Sequence, residues 1–520
     1  MLPENRISIA NGLSEESSLF IRLLPYELVL KILDMLDFRA LVICSQADSS
    51  ALRYTIELGV SGTEDGPSGG LKPGDRLQRL LDYQKAWSDL KWTGDKTIPM
   101  GPGAGVWELA GGVLGQAIGR RSSLRFTQLP SNYRGIQEKC WVVDTKSFDL
   151  RDFTMDPSQD LLVLVERPRN PVHARRAPSD HQIRLLNMSI GAPHRAARVP
   201  DLDCSVPMSG DGVSVVIRIC GDHLAILFKN LGERKCALRA WNWKTGRLQY
   251  ALSGVGLRCF SFLDEKHIIV TTHIDLQSKG LQPNLVIYDI SRAVEEDVAL
   301  EESSYLCAFL LPVPGDWTVR LDIEIQSDPA SSMVPDAALS VPFYTQRAER
   351  LNVVTITLTN GIEIQSYGFM IPSSTLSKHI ASLHAQAENV HIPWDRWGPT
   401  GSRMIFEPKH SNIWVCHVYG LRYTTPEDMV DSDGATSIAV YDFNPLPIRR
   451  AHPLTNGSPE THVTEAAAID TDGVFAKPIT TSLPYRLSKV SWGPEEGATD
   501  FGRFGTVMCS EDGLVVVGVS

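Results

Sequence analysis

The sequence has no apolar run long enough to cross a bilayer. A membrane-spanning helix needs about 20 consecutive, mostly apolar residues, and no stretch of the 520 residues approaches that length. The start of the chain, MLPENRISIANGLSEESS, also lacks the apolar segment of a signal peptide. We therefore expect neither secretion nor membrane insertion, and a location in the cytoplasm, the nucleus or both.

Metal-binding and disulfide patterns are missing as well. The nine cysteines are odd in number, scattered, and never spaced as Cys-x-x-Cys, whereas disulfide frameworks and zinc modules show regular spacings. The 13 histidines are dispersed and form no H-E-x-x-H motif. We expect reduced, mostly buried thiols, and neither a metal nor any other cofactor.

The chain has fewer positively charged than negatively charged residues. The chain carries 50 Lys and Arg against 61 Asp and Glu, a formal net charge of -11. Nucleic acids and anionic membranes are bound chiefly by clustered Lys and Arg, so neither is expected as a partner. The remaining composition is that of a folded protein, with 43% hydrophobic residues, and the length predicts at least two folding units.

A compact helical block lies near the amino terminus, in LLPYELVLKILDMLDFRALVICSQADSSALRYTIEL, residues 23–58. Pro25 suits the first position of a helix and Glu27 its first turn. Apolar residues then recur at helical spacing up to Leu36, on a stripe about 160° wide, where roughly 100° is usual. The surplus apolar surface must pack on the rest of the chain or on another protein.

The order of residues in this block resembles an F-box, the helical module that docks onto the Skp-type adaptor of cullin-RING ubiquitin ligases. The matching pattern is Leu24-Pro25-x-Glu27-Leu28-x-x-x-Ile32-Leu33-x-x-Leu36-Asp37-x-x-x-Leu41-x-x-Cys44. The stretch from ALRYTIEL to DLKWT resembles the segment that follows the F-box in a group of fungal, basidiomycete-type proteins. The resemblance covers roughly residues 23–93.

The resemblance implies which residues contact the adaptor or the small shared core. These residues are Leu24, Pro25, Leu28, Ile32, Leu33, Leu36 and Leu41. The third helix that is usual in the family is shortened, because Cys44–Gln46 run almost directly into ADSSALRYTIEL. Two explanations remain open: a weakened F-box, and a gene model that lacks some coding bases.

The rest of the chain divides by composition. Residues 1–20 are expected to be flexible, and residues 21–58 form the F-box-like module. In residues 59–95, a Gly-, Pro-, Ser- and Asp-rich stretch up to Asp75 predicts a loop, and RLQRLLDYQKAWSDLKW predicts a bracing helix with Asp75 as a possible N-cap. Residues 100–520 show short β-branched runs, and no amphipathic helix is expected to interrupt them.

A loose repeat of 40 to 50 residues in this β-rich region predicts a β-propeller of about seven or eight blades. The endings of LRAWNWKTGRL, NLVIYDISRA and SIAVYDFNPL resemble the third strand of a WD-repeat blade, although the Gly-His and Trp-Asp signatures are absent. The terminal stretch GTVMCSEDGLVVVGVS is expected to close the ring beside an early strand. A large β-sandwich is the alternative architecture.

Linear motifs give little support to catalysis. Gly66-Pro67-Ser68-Gly69-Gly70 fits the G-x-S-x-G pattern, but a nucleophile elbow needs a preceding strand of an α/β sheet, and this motif lies in a predicted loop. The glycines in GPGAGVWELAGG are not accompanied by the leading strand and the Lys-Ser/Thr of a phosphate-binding loop. The acidic stretch DMVDSDG has no Glu at the closing position of a calcium loop. The aromatic HIPWDRW is expected to pack within a blade, with a binding surface as the alternative.

An arginine-rich segment stands out in this acidic chain. Arg167, Arg169, Arg175 and Arg176 lie within ERPRNPVHARRAPSD. Arginine suits bidentate recognition of carboxylate or phosphate, so an acidic or phosphorylated peptide is a candidate ligand; a solvated loop is the alternative.

Together these features predict a non-catalytic substrate-recognition subunit of an SCF-type (Skp–cullin–F-box) ubiquitin ligase. The amino-terminal helices would hold the Skp-type adaptor, and through it a cullin-RING ligase, while the β-rich domain binds an unknown protein client. One alternative is a propeller scaffold with a degenerate F-box outside any ligase. A less favoured alternative is a propeller-fold hydrolase, which requires convergent carboxylates or a metal on the propeller axis.

Overall fold

The structure, a computed structural model, describes most of the chain after residue 49. The described residues are 50–518, apart from residues 68, 100–104, 168–178, 209–211, 231, 275–280, 292–296, 336–338, 385–387, 408–415, 431–435, 451–459, 470 and 493–503. The flexible segment 1–20 and the F-box-like residues 21–49 lie outside this part of the chain.

Two helices precede the β-rich region. Helix α1 spans Ser50–Ser61 and helix α2 spans Pro73–Asp89. The predicted bracing helix is therefore present, but Lys72 rather than Asp75 is its N-cap, because Pro73 takes the first helical position. Asp75 lies in the first turn, where the helix dipole favours an acid.

The predicted loop after residue 59 is partly regular structure. Helix α1 continues to Ser61, and Thr63–Asp65 forms a short strand that pairs antiparallel with Phe343–Thr345. Thr63 lies opposite Thr345 in this pair. The local composition predicted a loop because a short stretch of sequence gives no information about a partner strand that is distant in the chain.

The β-rich region is a propeller of six blades. Each blade is built on four antiparallel strands that follow one another in chain order, with other elements inserted between some of them. Blade 1 contains Trp107–Ala110, Val113–Ile118, Ser123–Gln128 and Lys139–Asp144; blade 2 contains Leu150–Asp156, Leu161–Glu166, Ser179–Asn187 and Asp201–Val206; blade 3 contains Val213–Cys220, His223–Asn230, Lys235–Asn242 and Arg247–Gly254. Blade 4 contains Leu257–Phe262, His267–Ile274, Leu281–Asp289 and Cys307–Leu310; blade 5 contains Arg320–Gln326, Leu351–Thr359, Ile364–Pro372 and Arg403–Glu407; blade 6 contains Val418–Tyr419, Arg422–Val430, Thr436–Asp442 and Tyr485–Trp492.

Additional strands extend some blades. Val298–Ala299 and Val390–Ile392 add in parallel to the fourth strands of blades 3 and 4, and Glu460–Val463 adds to blade 6. Ala467–Ile469 and Ile479–Thr481 form a separate two-stranded sheet. The prediction of a propeller is confirmed, whereas the predicted count of seven or eight blades is not supported.

The hydrophobic core lies between neighbouring blades, not within one central mass. Phe126 of blade 1 contacts Phe153 of blade 2 edge to face, with ring centroids 6.4 Å apart. Tyr250 of blade 3 and Tyr288 of blade 4 are similarly close, at 5.4 Å. Because each blade is covered on both faces, second strands such as LLVLVE of blade 2 are buried along their whole length.

The carboxyl-terminal hairpin of Phe504–Cys509 and Leu514–Gly518 lies between blade 6 and blade 1. Met508 packs against Leu109 and Leu114 of blade 1, and the amide of Cys509 donates to the carbonyl of Cys416, 2.9 Å away, before blade 6. The end of the chain thus lies beside an early strand as expected. Within the described residues the contact with blade 1 is made by side chains and not by strand pairing.

Short helices interrupt the last two blades, contrary to the prediction. Helices α3 (Ser373–Ala381) and α4 (Trp394–Gly401) lie in blade 5, and α5 (Pro445–Arg450) lies in blade 6. Trp397 of α4 is 1% exposed and donates its indole N–H to the carbonyl of Leu310 at 3.2 Å. The expectation that HIPWDRW packs within the fold is confirmed for this tryptophan. Among the helices that the structure describes, none is long and apolar enough to cross a membrane.

Candidate functional site

The structure describes few of the residues predicted from the sequence to bind partners. The proposed adaptor-binding residues, from Leu24 to Leu41, lie outside the described residues, as do Arg169, Arg175 and Arg176. Arg167 is described, and its Nε lies 3.4 Å from Oδ1 of Asp149 in a solvent-exposed pair. The described residues therefore bring no predicted peptide-binding set together.

Helices α1 and α2 form a compact unit with the short strand between them, and residues 50–89 are here termed the bracket. Tyr54 and Leu58 of α1 pack with Leu77, Leu80 and Tyr83 of α2 and with Phe343 of the propeller. The rings of Tyr83 and Phe343 are 5.2 Å apart. The apolar faces of both helices are thus shared with the propeller, and the bracket is not an independent domain.

A buried arginine binds backbone carbonyls of both the bracket and the propeller. Arg76 is 8% exposed, and its Nη2 donates to the carbonyl of Gly66 at 2.7 Å and to that of Pro342 at 2.6 Å. The same guanidinium pairs with Asp65. The hydroxyl of Tyr54 also donates to Pro342, at 2.6 Å, so the carbonyl of a propeller loop binds two buried groups of the bracket.

Blade 6 supplies a second set of contacts to the bracket. The guanidinium of Arg422 lies 4.4 Å from the ring centre of Trp87, and its Nη1 donates to the hydroxyl of Tyr83 at 3.1 Å. Arg450 forms an ion pair of 2.6 Å with Glu57 of α1. These contacts fix the direction of both helices relative to the ring.

The ring is closed by a buried ion cluster, here termed the latch. Nη1 of Arg134, in the loop before the last strand of blade 1, lies 2.8 Å from Oε2 of Glu511, and its Nε donates to Asp512 at 2.8 Å. Glu511 and Asp512 form the turn of the carboxyl-terminal hairpin. Tyr83 of the bracket donates to the carbonyl of Glu511 at 2.6 Å, so blade 1, the hairpin and the bracket meet at one point.

One face of the propeller is crossed by an insertion in blade 5. On this face the first and second strands of each blade are joined, in most blades by tight turns at residues 111–112, 157–160, 221–222, 263–266 and 420–421. In blade 5 the connection between the first and second strands is much longer. It consists of residues 327–350 and is here termed the cap. The hydroxyl of Ser332 accepts from the amide of Gly221 at 2.5 Å, and Ser331 lies 3.3 Å from the thiol of Cys220, both in blade 3.

The two ends of the cap are held by blades 4 and 6. Arg350, only 1% exposed, donates through Nη2 to the carbonyls of Phe262 at 2.5 Å and Leu263 at 2.8 Å. Burial lowers the pKa of this guanidinium. At the other end the carbonyl of Asp328 accepts from the amide of Gly420 at 2.8 Å. The cap therefore spans from blade 5 to the turns of its neighbours.

A small cavity of about 80 Å³ lies on the propeller axis beneath the cap and is here termed the channel. It is lined by first-strand residues including Glu108 of blade 1 and Arg218 of blade 3, and by Asp328 of the cap. Burial raises the pKa of Glu108 to about 8 and that of Asp328 to about 7, and Arg218 opposes both shifts. Both carboxyl groups are thus partly protonated near neutral pH.

Asp152 of blade 2 belongs to the same electrostatic group. Burial raises its pKa to about 6, against the opposing effects of the Phe153 amide and of Arg121, Arg151 and Arg218. Asp152 acts on Glu108 electrostatically, and Glu108 and Asp328 are the two of these carboxyl groups that line the channel itself. Among the residues that the structure describes, however, no group of three His, Cys, Asp or Glu side chains is placed to hold a metal ion.

A larger cleft of about 830 Å³ lies beside the cap, between blades 1 and 2. Its walls include Trp141 and Met188 at the rim, Met333 and Tyr344 of the cap, and Tyr419 near the axis. The indole N–H of Trp141 donates to the carbonyl of Met188 at 2.9 Å, which joins the two blades at this wall. The volume is within the range of roughly 300 to 1,000 Å³ that is usual for ligand pockets.

Sequence reasoning missed the channel residues, because they come from blades far apart in the chain and share no spacing. The available signal was weak: Glu108 interrupts WELA, Asp152 interrupts LRDFTMD, and Arg218 interrupts the apolar run VSVVIRIC. A charged residue in the first strand of a blade can face the axis, where water remains.

No protein-family profile and no curated protein matches the chain. Among solved structures, it is similar to Kluyveromyces lactis Hsv2 in a form titled "complete loop 6CD", with 9% identity over 50% of this chain and 78% of that chain and a TM-score of 0.21. A second structure of Kluyveromyces lactis Hsv2 shows 11% identity over 57% and 82% of the two chains, also at a TM-score of 0.21. Similarity at this level supports no inference about the function of the chain.

Proposed function

We propose that the chain is a substrate-recognition subunit of an SCF-type ubiquitin ligase. Residues 21–58 would dock on a Skp-type adaptor, and the propeller would bind client proteins. The chain itself carries out no chemistry in this role. It raises the concentration of client lysines near the catalytic subunits of the ligase.

The attachment of the bracket to the propeller is the observation that supports this proposal most. Helix α1, Ser50–Ser61, contains the last residues of the F-box-like module 21–58. Two of its buried side chains, Tyr54 and Leu58, pack in the bracket core. The described end of the F-box-like module is therefore packed against the propeller through the bracket.

The proposal also suggests where a client would bind. The cleft between blades 1 and 2 has the volume and the mixed apolar and polar lining of a peptide site. Arg167, Arg169, Arg175 and Arg176 stay candidates for an acidic or phosphorylated segment of the client. Arg167, the described member of this set, pairs with Asp149 before the first strand of blade 2, at the end of the blade opposite the turn 157–160 that lines the cleft, so the arginines and the cleft are separate candidate sites.

Co-purification with the adaptor tests the proposal. The full chain, co-expressed with the host's Skp-type adaptor, should form a stoichiometric complex, and Leu28→Asp plus Ile32→Asp should abolish it. A matched control is Ile362→Asp plus Ile364→Asp, which makes the same kind of change at side chains that are 92% and 71% exposed on blade 5. A folded, unmodified chain that fails to bind the adaptor would contradict the proposal and favour the interaction scaffold with a degenerate F-box.

The channel favours a second candidate, a propeller-fold hydrolase. Glu108 and Asp328 line the same cavity on the axis, and a carboxyl group with a pKa near 8 can act as a general acid at neutral pH. Purified chain would be assayed against ester, phosphate and glycoside substrates. If Glu108→Gln lost this turnover while being at least as thermally stable as the unmodified chain, the hydrolase would replace the first proposal.

A further inference from the structure

The outer edge of each blade is its fourth strand, and in four of the six blades described residues cover this edge. Val298–Ala299, Val390–Ile392 and Glu460–Val463 add a strand to blades 3, 4 and 6. In blade 5 the amide of Met404, on the outer strand, donates to Oγ1 of Thr481 at 3.0 Å. Within the described part of the chain, only blades 1 and 2 end in a fourth strand that nothing covers.

The backbone pattern of blade 1 shows which groups of its outer strand, Lys139–Asp144, are turned outward. The amide of Thr145 donates to the carbonyl of Ser122 at 2.9 Å, which continues the ladder between the third and fourth strands. In an antiparallel ladder, residues bonded to the partner strand alternate with residues turned away from it. Three residues therefore have their backbone N–H and C=O groups turned outward, where no described residue bonds to them: Cys140, Val142 and Asp144.

The two uncovered edges differ in charge. By the same pattern, Asp201 and Asp203 are turned outward along the edge of blade 2. Charged side chains along an edge discourage the addition of another strand. In blade 1 the outward acid, Asp144, lies at the end of the strand, and the centre is Val142, which is 57% exposed. The edge of blade 1 is therefore the better acceptor for an added strand.

Exposed apolar side chains flank this edge on both faces of the sheet. Val142 lies on one face, opposite Arg125 of the neighbouring strand. On the other face a β-carbon at Gly191 would lie 2.6 Å from Cγ1 of Val143, so the loop of blade 2 that carries Ile190 runs beside the edge. Ile190 is 64% exposed. A strand added here would remove apolar surface from water on both faces, which favours the addition.

We propose that the outer strand of blade 1 is a dimerisation edge, to which a second copy of the chain adds its own Lys139–Asp144 in antiparallel orientation. A two-fold axis perpendicular to the sheet brings one edge against itself in this orientation and closes the assembly at two copies. The inference goes beyond the proposed function and does not depend on it, since it concerns the isolated chain.

Charge and apolar surface select one register for the two strands. Outward residues of one copy must lie opposite outward residues of the other. If Val142 lies opposite Val142 of the second copy, Cys140 lies opposite Asp144, and Glu138 comes beside Lys146. A shift in one direction places Glu138 opposite Asp144, and a shift in the other places Val142 opposite Asp144. Opposed like charges are unfavourable and apolar pairs are favourable, so the register centred on Val142 is preferred.

This self-complementarity favours a second copy over an extended segment of an unrelated protein. The two-fold axis repeats each contact, so one register supplies two contacts of Glu138 with Lys146 besides the central pair of valines. In the single chain Glu138 pairs with Lys96, and Lys146 pairs with Asp144. Both of these pairs are exposed, and exposed pairs contribute little. Their exchange for contacts between the copies therefore costs little.

Sedimentation velocity of the full chain over a range of concentrations tests the proposal. We expect a monomer–dimer equilibrium with a dissociation constant on the order of 10 μM, because one strand pair buries less than the roughly 1,600 Å² of a standard interface. Val142→Lys places two ammonium groups opposite each other at the axis and should raise this constant at least about tenfold. Val319→Lys, at a side chain that is 74% exposed before blade 5, is the matched control and should leave it unchanged.

A cysteine crosslink tests the register. The Cα atoms of residue 142 in the two copies would lie about 5.5 Å apart, within the range that a disulfide requires. The exposed Cys140 would lie about 14 Å from Cys140 of the second copy, because the two are four residues apart along the strand direction. With dissolved oxygen as oxidant and copper–phenanthroline as catalyst, Val142→Cys should form a covalent dimer, and the unmodified chain and Val319→Cys should not.

Three results would overturn the proposal. The first is an unmodified chain that stays monomeric up to about 100 μM, far above the expected dissociation constant, which would leave the edge to an extended segment of another protein. The second is a dimer that Val142→Lys leaves unchanged. The third is a dimer that crosslinks through Cys140 as readily as through Val142→Cys. Thermal melts of Val142→Lys and Val319→Lys separate a lost interface from a lost fold, and the crosslink decides if Val142→Lys unfolds.

Discussion

The latch and bracket bury charges in a different way from the channel. At these two sites, together termed the junction, Arg76 pairs with Asp65, and Arg134 pairs with Glu511 and Asp512. In the channel, the described residues give Glu108 and Asp328 no ion pair, and burial raises their pKa values to about 8 and about 7. The buried charges of the junction are therefore held by direct ion pairs, whereas ionisation of the channel carboxyls opposes folding.

The variant with the largest expected effect on stability removes the positive charge of the latch. Arg134→Met leaves Glu511 and Asp512 buried without their partner, in a position where Arg134 itself is 4% exposed. Breaking a buried pair in this way costs about 3 to 5 kcal/mol. Urea unfolding, followed by tryptophan fluorescence, should show that decrease in the free energy of unfolding.

The matched control for the latch is an exposed ion pair of the same region. Lys96→Met removes the partner of Glu138, at a lysine whose side chain is 49% exposed. Solvent screens such pairs, so the change should be much smaller. Equal effects in Arg134→Met and Lys96→Met would mean that the latch does not close the ring.

The second test concerns a carboxyl group of the channel for which the described residues give no ion pair. Glu108→Gln removes a carboxyl group whose pKa is raised to about 8 by burial. A raised pKa means that ionisation destabilises the folded chain increasingly between about pH 4.5 and pH 8. The variant should therefore be more stable than the unmodified chain by about 1 to 3 kcal/mol at pH 8 and little different at pH 4.5.

Thermal melts at several pH values measure this difference. Glu363→Gln, an exposed carboxyl on blade 5, is the control and should show no such pH dependence. A Glu108→Gln variant that is less stable than the unmodified chain at pH 8 would show that the glutamate is fully compensated, and the contrast between channel and junction would disappear.

The sequence predicted the repeating part of the propeller correctly and its insertions poorly. The endings Trp241-Asn242, Tyr288-Asp289 and Tyr441-Asp442 lie on the third strands of blades 3, 4 and 6, as their resemblance to WD-repeat blades implied. The blade count was too high because it assumed 40 to 50 residues a blade. Blade 5 instead spans residues 320–407 and blade 6 residues 418–492.

The channel, the latch and the cap could not be found in the sequence for a common physical reason. Their contacts join residues that are far apart in the chain, such as Ser331 with Cys220 and Arg134 with Asp512. Local periodicity reports which side of a strand is apolar, but it does not report which distant residue lies opposite. The bracket helix was predictable because α2 carries its own apolar period.

The smallest test asks how much a single neutral contact adds to the junction. Tyr54→Phe removes the hydroxyl that donates to the carbonyl of Pro342 at 2.6 Å, and leaves the ring in place. Because Arg76 still donates to that carbonyl, the acceptor keeps a partner, and the loss should be about 1 kcal/mol. Tyr344→Phe, at a half-buried hydroxyl bonded to Glu64, is the matched control. If Tyr54→Phe alone destabilised the chain as much as Arg134→Met, the junction would depend on neutral hydrogen bonds as much as on paired charges. The contrast between the junction and the channel would then no longer hold.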